Sequence, residues 1–232
     1  MHKKKEALKA AFPVTIPVMT GYIFLGMGYG ILMNSIGYGL GWTLLMSLLI
    51  FAGSIQYVAI ALLTSAFNPL YTLLLTLMVN ARHLFYGISM LERYKDTGRL
   101  KPYLVFGLTD ETFSLLSTAD PPEGVERKWF QFFVTLLDHI YWVAGSALGS
   151  IAGMMISFNT QGLDFVLTAL FTVIFIDQWK GTKNHIPALI GLGGALLCLL
   201  LFGRDSFMIP TMILILLLLT VFRKRIEKEG RQ

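Results

Sequence analysis

The sequence predicts an all-α polytopic membrane protein with about six full transmembrane helices plus broken or re-entrant segments. The first observation is compositional: 55% of the 232 residues are apolar and 14% are charged, against roughly 25% charged in ordinary globular proteins. The second is that the apolar residues form long segments, and the third is that polar islands interrupt several of them. A soluble surface could not be solvated with so few charges, whereas a lipid surface removes that requirement.

Eight apolar segments follow one another with short connections between them. They run roughly over residues 12–34, 41–66, 69–91, 103–118, 129–157, 163–179, 187–203 and 207–222. Lysines precede the first segment, as in a signal peptide, but its apolar core is too long and no Ala-x-Ala site follows it. We therefore expect a cytoplasmic basic tail over 1–11, a single transmembrane domain over 12–222 and a cytoplasmic basic tail over 223–232.

The basic residues predict how the chain is oriented in the membrane. They cluster at the N-terminus, in one loop and at the C-terminus: Lys3, Lys4, Lys5 and Lys9; Arg93, Lys95, Arg99 and Lys101; Arg223, Lys224 and Arg225. All three clusters favour the cytoplasmic side. Three full crossings between residues 12 and 91 would put the loop outside, so we expect one of the first three segments not to cross fully.

The fourth segment, 103–118, is also a poor candidate for a lipid-facing span. It is short and carries Asp110 and Glu111 at its middle, where ionised groups are costly. We therefore expect about six full crossings, two broken or re-entrant elements, and both termini in the cytoplasm. Irregular backbone survives at membrane depth only where it is buried in protein or lines a cavity, so these elements indicate a binding site.

Four polar islands inside the apolar segments supply the candidate substrate-binding or coupling residues. Burying an ionisable group in a membrane domain costs several kcal/mol unless it finds a partner, which makes such groups functional candidates. The candidates are Gly53, Ser54 and Gln56; Asn80, Arg82 and His83; Thr109, Asp110 and Glu111; and Asp138 and His139.

Each island also has an ordinary structural interpretation. Ser54 and Gln56 suit hydrogen bonds between helices, and Arg82 and His83 suit a helix end from which they snorkel to the interface. Asp110 and Glu111 would be a loop pair if the fourth segment lay outside the membrane. Asp138 and His139 would need no function if they lay near an interface.

Together the islands suit a small-solute transporter that handles a zwitterion. Arg82 could bind a carboxylate, and Asp110 or Glu111 an ammonium group. Alternatively, Arg82 and Asp110 pair with each other and broken-helix termini hold the substrate. His83 and His139 could titrate near neutral pH and couple transport to protons. The residues alone leave these alternatives open.

Other function classes find little support in the sequence. There is no Walker-type phosphate loop, His-Glu-x-x-His motif or Gly-x-Ser-x-Gly elbow, so we expect no enzyme activity, metal site or cofactor. Cys198 is the only cysteine, which excludes an intramolecular disulfide. The net charge of +5 comes from residues that flank apolar segments, so nucleic acid is not an expected partner.

Small residues at helical spacing predict close packing between helices. Gly26 and Gly30 are four residues apart, and Gly145, Gly149 and Gly153 form a longer ladder. Such a ladder lets another backbone approach closely in lipid. The approaching helix could belong to a partner subunit or to this same chain.

Several motifs lie along the chain: 51–57 (FAGSIQY), 80–87 (NARHLFYG), 107–113 (GLTDETF), first-helix residues Pro17, Gly21-Tyr22, Gly26 and Gly30, and Tyr141-Trp142-Val143. Together these motifs resemble the AzlC family, the large subunits of bacterial branched-chain amino acid exporters. The resemblance covers nearly the whole chain. One departure is Asp138-His139, where the family pattern leads us to expect uncharged polar residues.

The resemblance implies a secondary transporter in the bacterial cytoplasmic membrane that exports branched-chain or similar small apolar amino acids. It also implies ion or proton coupling and a small AzlD-type membrane subunit as partner. Two alternatives remain open at this stage. One is an intramembrane acid-base enzyme using His83, Asp110 and Glu111, although no nucleophile lies beside a base at a recognisable spacing. The other is a non-transporting receptor or assembly subunit.

Overall fold

Ten α-helices make up the described part of the chain in the computed structural model. It describes residues 2–155, 172, 175–176, 179–180, 184–203 and 207–222. The helices are α1 (His2–Ser35), α2 (Leu40–Leu49), α3 (Gly53–Thr64), α4 (Pro69–Val79), α5 (Ala81–Met90), α6 (Lys101–Phe106), α7 (Asp110–Thr118), α8 (Arg127–Met155), α9 (Ile186–Phe202) and α10 (Met208–Val221), with a 3₁₀ turn at Gly98–Leu100. The predicted segment 163–179 and the basic tail 223–232 lie largely or wholly outside these residues.

The all-α membrane class is confirmed by this architecture. Among the described helices, α1 and α8 are long and apolar enough to cross a bilayer, and α4 with α5 forms a third candidate bent by 41°. The predicted count of about six full crossings stays a prediction, as do the domain limits.

Three predicted segments are each split into two short helices, which confirms the expected breaks. Segment 41–66 is interrupted between Leu49 and Gly53, segment 69–91 at Asn80, and segment 103–118 between Phe106 and Asp110. The sequence predicts two such elements, and the described residues contain three. In the first break Phe51 adopts φ 42°, a left-handed conformation that is costly for a bulky residue and therefore depends on its surroundings.

Helices α1 and α8 form the central pair and run parallel to each other. The contacts advance together along both helices, from Lys3 with Glu126 to Asn34 with Ser150. A Cβ atom on Gly26 would lie 2.9 Å from the Ser146 backbone nitrogen. The glycines therefore bring two backbones into direct contact.

The ladder of Gly145, Gly149 and Gly153 faces α1 of the same chain. A Cβ atom on Gly145 would lie 2.7 Å from the Ile23 carbonyl oxygen, and one on Gly149 would clash with the Met27 backbone. Of the two occupants considered for this ladder, the helix from the same chain is therefore the one observed. The ladder gives no support to a partner subunit.

One end of the helix pair gathers the N-terminal lysines and the basic loop after α5, while the C-terminal cluster at 223–225 lies outside the described residues. Lys3 donates to Glu126 at 2.8 Å, and the Lys4 ammonium lies 4.1 Å from the centre of the Trp129 ring. Gln131, in the first turns of α8, donates to the Arg93 carbonyl at 3.2 Å. The N-terminal lysines, the basic loop and the start of α8 thus share one end, as the charge pattern requires. Which side of the membrane this end faces stays a prediction.

Beside an apolar core, the described residues expose many large apolar side chains and bury several polar ones. Large apolar side chains point outward, such as Phe24 at 76% and Leu216 at 67% exposed, while Gln56, Gln131 and Asp138 are buried. Exposed apolar area on this scale in water would mark an interaction surface. In lipid it is the expected outer surface, because lipid tails solvate apolar side chains.

The chain divides into two compact units, Met1–Thr160 and Gln161–Gln232. In the second unit α9 packs against α10, and a Cβ atom on Gly194 would lie 3.2 Å from Ile215. Cys198 is buried at this contact as a free thiol, as expected for a small core residue. All the candidate site residues lie in the first unit.

Candidate functional site

The first and third helix breaks lie against the middle of α1 at Tyr22, and the Arg82 side chain joins the second break to them. Gln56 is fully buried and accepts a hydrogen bond from the Trp142 indole at 2.9 Å. Its amide nitrogen donates to Ser47 Oγ at 3.3 Å. A Cβ atom on Gly53 would lie 2.9 Å from the Trp142 ring, so a glycine here lets the start of α3 contact that ring. Gln56 therefore ties α2, α3 and α8 together.

Arg82, in the first turn of α5, forms the main ion pair of the site. Its Nη1 lies 2.6 Å from Asp110 Oδ2, and the two side chains are 30% and 32% exposed. Its Nη2 donates to Ser54 Oγ. The pair therefore joins the starts of α3, α5 and α7, one from each broken segment. The predicted proximity of Arg82 and Asp110 is confirmed, while the expected cavity beside them stays a prediction.

The start of α7 is built to hold negative charge. The Thr109 hydroxyl caps it by accepting from the Thr112 backbone N–H at 3.3 Å. Asp110 and Glu111 occupy the first turn, where the helix dipole stabilises anions. Glu111 Oε2 accepts a hydrogen bond from the Tyr22 hydroxyl at 2.7 Å, which links α7 to α1.

Asp138 and His139 are adjacent in sequence but contact different neighbours. Asp138 Oδ2 accepts from the Thr112 hydroxyl at 2.8 Å. His139 lies against the first break instead: its ring stacks on Phe51 at 4.2 Å between centres. Its Nδ1 is 3.1 Å from the Tyr103 hydroxyl and its Nε2 is 3.3 Å from the Ser47 carbonyl oxygen. Asp138 thus belongs with α7, and His139 fixes the irregular backbone around Phe51.

Asn80 and His83 stand at the second break, beside the rest of the site. The His83 ring lies 3.2 Å from the Asn80 carbonyl oxygen and edge-on to Tyr86. These contacts stay within the turn. Each of the other nine candidates contacts another broken segment or the α1/α8 pair. The roles of all eleven candidates in substrate binding or coupling stay predictions.

Several residues of the site were not among the sequence candidates. Tyr22, Ser47, Tyr103, Thr112 and Trp142 supply hydrogen bonds that hold the broken segments to each other and to α1 and α8. Tyrosine, serine and threonine in apolar helices are common, so their types gave no signal. Tyr22, Thr112 and Trp142 are marked in the sequence only as parts of family motifs.

Comparison with known proteins decides the family. The sequence model described as AzlC protein matches residues 17–156. The chain belongs to the AzlC family. The matched range contains the later part of α1, all of α2 to α8 and every candidate site residue, so the AzlC match covers the whole of the site described above. Helices α9 and α10 lie beyond it.

Relatives from several bacteria align over most of the chain. The branched-chain amino acid transport protein AzlC of Bacillus subtilis is 55% identical over 98% of this chain and 91% of its own length. An uncharacterized membrane protein of Haemophilus influenzae is 46% identical over 96% of this chain and 91% of its own. The inner membrane protein YgaZ of Escherichia coli is 27% identical over 86% and 82%. No solved structure matches the chain.

Proposed function

We propose that this AzlC-family protein is a multi-pass secondary transporter, not an enzyme, that exports branched-chain or similar small apolar amino acids across the bacterial cytoplasmic membrane. An ion or proton gradient drives it, both termini are cytoplasmic, and a small AzlD-type membrane subunit completes it. The name of the Bacillus subtilis relative supports the substrate class. The export direction, the partner and its AzlD type come from the family resemblance.

The polar groups around Arg82 and Asp110 are the structural observation that supports this proposal. Three buried polar atoms there have no hydrogen bond of ordinary geometry within the described residues: Asn80 Oδ1, Arg82 Nε and Asp110 Oδ1. They are two acceptors and one donor. A zwitterionic amino acid offers an ammonium group to the acceptors and a carboxylate to the donor, so the set matches both charged ends of the substrate.

The broken segments supply the means of movement. Short helices that meet at irregular backbone can tilt as rigid pieces, and the N-terminal ends of such helices favour anionic groups of a substrate. Ser54, Arg82 and Asp110 lie in the first turns of three such helices. The continuous α1/α8 pair would remain fixed while these pieces move around the bound substrate.

The same ion pair supports a covering subunit. Arg82 and Asp110 are each about a third exposed, while the neighbouring Leu84 and Phe85 point outward at 71% and 67% exposure. A charged pair beside lipid-facing residues is costly unless water or protein covers it. A small membrane subunit seated over α5 would shield the pair and enclose the substrate path. Self-association of this chain is the rival occupant.

The test is transport into everted membrane vesicles, in which export appears as uptake. Cells would express the full chain alone, the small subunit alone, or both, and vesicles would receive labelled leucine, isoleucine or valine. We expect gradient-driven uptake only with both, and a detergent-extracted complex larger than this chain by one small subunit. Arg82→Gln should abolish uptake while Arg99→Gln, the same change at an exposed loop arginine, should leave it intact.

Two outcomes would contradict the proposal at different levels. Full uptake by this chain alone, with no heteromeric complex recovered, would remove the partner. Absence of uptake of every branched-chain amino acid by the two chains together would remove the transport function for that substrate class.

A further inference from the structure

Asp138 and Glu111 are joined by a continuous chain of hydroxyl groups. Glu111 Oε2 lies 2.7 Å from the Tyr22 hydroxyl, which lies 2.6 Å from Thr109 Oγ1. Thr109 Oγ1 is 3.0 Å from Thr112 Oγ1, which is 2.8 Å from Asp138 Oδ2. Four oxygen–oxygen contacts of hydrogen-bond length therefore connect the two carboxyl groups through α1 and α7.

If both carboxyl groups are ionised, this chain of hydroxyl groups has one proton too few for its four hydrogen bonds. Tyr22, Thr109 and Thr112 each bring one hydroxyl proton. Tyr22 donates to Glu111, Thr109 to Thr112, and Thr112 to Asp138. The Tyr22–Thr109 contact, the shortest at 2.6 Å, then has no proton between its oxygens. One additional proton on either carboxyl group fills all four contacts.

The surroundings of Asp138 favour a neutral carboxyl group. Asp138 is fully buried, and its Oδ1 has no hydrogen-bond partner within the described residues. A buried carboxylate with an unpartnered oxygen is far more costly than a neutral acid. Glu111, in contrast, is not fully buried, and it lies in the first turn of α7, where the helix dipole favours a negative charge.

The other polar groups near Asp138 do not neutralise it. Arg82, on α5, is paired with Asp110 of α7. His139, the neighbour of Asp138 on α8, faces Tyr103 of α6 and the Ser47 carbonyl oxygen of α2. In the described part of the chain, neither Asp138 nor Glu111 forms an ion pair with a lysine, arginine or histidine.

We propose that Asp138 and Glu111 share one proton through Tyr22, Thr109 and Thr112, and that this proton is the coupling ion of transport. The inference rests on the proposed transport function. With the proton on Asp138, its Oδ2–H donates to Thr112, Thr112 to Thr109, Thr109 to Tyr22, and Tyr22 to Glu111. Transfer breaks the Asp138 O–H bond, each hydroxyl passes on its own proton, and a new O–H bond forms on Glu111. Each hydroxyl keeps one proton, and the pair keeps a charge of −1.

The two ends of the hydroxyl chain differ in exposure, which gives proton transfer along it a direction. Glu111 is the more exposed end and Asp138 the enclosed one, so the proton enters and leaves at Glu111 and is held at Asp138. Asp110 and Glu111 share the first turn of α7, and Arg82 is paired with Asp110. Movement of α7 around a substrate would change the oxygen–oxygen distances in the chain and so link substrate binding to proton release.

Thr112→Val tests the chain at its middle without removing either carboxyl group. Thr135→Val is the matched control, because Thr135 is equally buried but its hydroxyl donates to the carbonyl of Gln131 on its own helix. Both would be reconstituted in liposomes as the full chain with the small subunit. Exchange of labelled for unlabelled leucine, without a gradient, needs no net proton movement. Accumulation of leucine in liposomes with an acidic interior does need net proton movement.

We expect Thr112→Val and Asp138→Asn to keep exchange but to accumulate leucine at less than a tenth of the wild-type level. Thr135→Val should keep both activities. Wild-type accumulation by Thr112→Val, or accumulation that follows a sodium gradient instead of a pH gradient, would overturn the proposal.

A second measurement separates this proposal from the transport function. Infrared difference spectra of the purified wild type at neutral pH should contain the C=O stretching band of a protonated carboxylic acid. The band should be lost in Asp138→Asn and shifted in Thr112→Val, whether or not leucine is the substrate. Absence of the band in the wild type, or its removal by sodium at constant pH, would overturn the shared proton even if transport is observed.

Discussion

The α1/α8 pair and the three broken segments between them are held together mainly by different kinds of contact. In the pair, Gly26, Gly30 and Gly145 bring backbone against backbone, and the contact depends on shape. Around Gln56, Arg82 and Glu111 the contacts are hydrogen bonds and an ion pair between short helices. Shape-dependent packing has no low-cost alternative arrangement, whereas polar contacts can exchange partners. The first region therefore suits a fixed support and the second a moving site.

The strongest way to break this comparison is to fill the glycine contact. Gly149→Val would force side-chain atoms into the Met27 backbone, and overpacking costs about 1–3 kcal/mol or more when nothing can yield. We expect loss of folded, monodisperse protein in fluorescence-detected size-exclusion chromatography. Gly21→Val is the control, because a Cβ atom there meets nothing within 4 Å. Equal yields from both variants would mean that the pair is not the support.

A charge change in the moving site should remove activity and leave the fold. Arg82→Asp and Asp110→Arg each put like charges together, and we expect at least a tenfold loss of transport, equivalent to about 1.4 kcal/mol in transition-state terms. Folded yield should fall much less than for Gly149→Val because the pair is partly exposed. The charge-swapped double variant should recover yield relative to both single variants. Additive losses in the double variant would show that the two residues do not interact.

Trp142 sharpens the comparison because it lies in α8 but contacts the broken segments. Trp142→Phe removes the donor to Gln56 Oε1 and leaves a buried acceptor unpaired, which costs about 1–3 kcal/mol. We expect a lower midpoint of thermal unfolding than in Trp129→Phe, which removes the same volume from a tryptophan near the start of α8. If the two midpoints fall equally, the hydrogen bond contributes nothing beyond packing.

The smallest effect is expected at the exposed end of the α1/α8 pair. The hydrogen bond from Lys3 lowers the pKa of the Glu126 carboxyl below its ordinary value of 4.5. The stabilisation of the fold by this hydrogen bond is complete above pH 4.5. It is lost as the pH falls through the lowered pKa, where Glu126 becomes protonated in the folded state. Lys3→Ala should change the unfolding midpoint only slightly at pH 7, because exposed pairs contribute little. A large drop at pH 7 would mean that this pair helps to hold α1 against α8.

Composition and charge pattern were enough to predict the membrane class and two of the three helix breaks. Gly53-Ser54, Asn80 and Thr109-Asp110 mark the breaks because polar or conformationally free residues sit inside apolar runs, where lipid would penalise them. The pairing of Arg82 with Asp110 was also foreseeable, since opposite charges at membrane depth need each other. In these cases the energetic cost comes from polar or charged residues within an apolar run. The local sequence is therefore enough to predict the break or the ion pair.

The remaining contacts depend on which helices become neighbours. Thr112 lies in the motif 107–113 and Thr135 in none, but nothing in the sequence shows that the Thr112 hydroxyl reaches Asp138 or that the Thr135 hydroxyl bonds its own helix. The glycine ladder predicted a close helix without saying which one, because any backbone fits against glycine. The family resemblance identified Tyr22 and Trp142 as motif residues, but their hydrogen bonds to Glu111 and Gln56 arise only when α1, α3, α7 and α8 are assembled.

The parallel pairing of α1 with α8 has a consequence for biosynthesis. The C-terminal end of α8 leaves the ribosome about 120 residues after that of α1, which takes on the order of 6 to 24 seconds at typical rates of chain elongation. During that interval Gly26 and Gly30 have no Gly145 or Gly149 to meet. The first helix therefore waits in the bilayer with its contact face towards lipid or the insertion machinery. Assembly of the whole first unit cannot finish until translation has passed Met155.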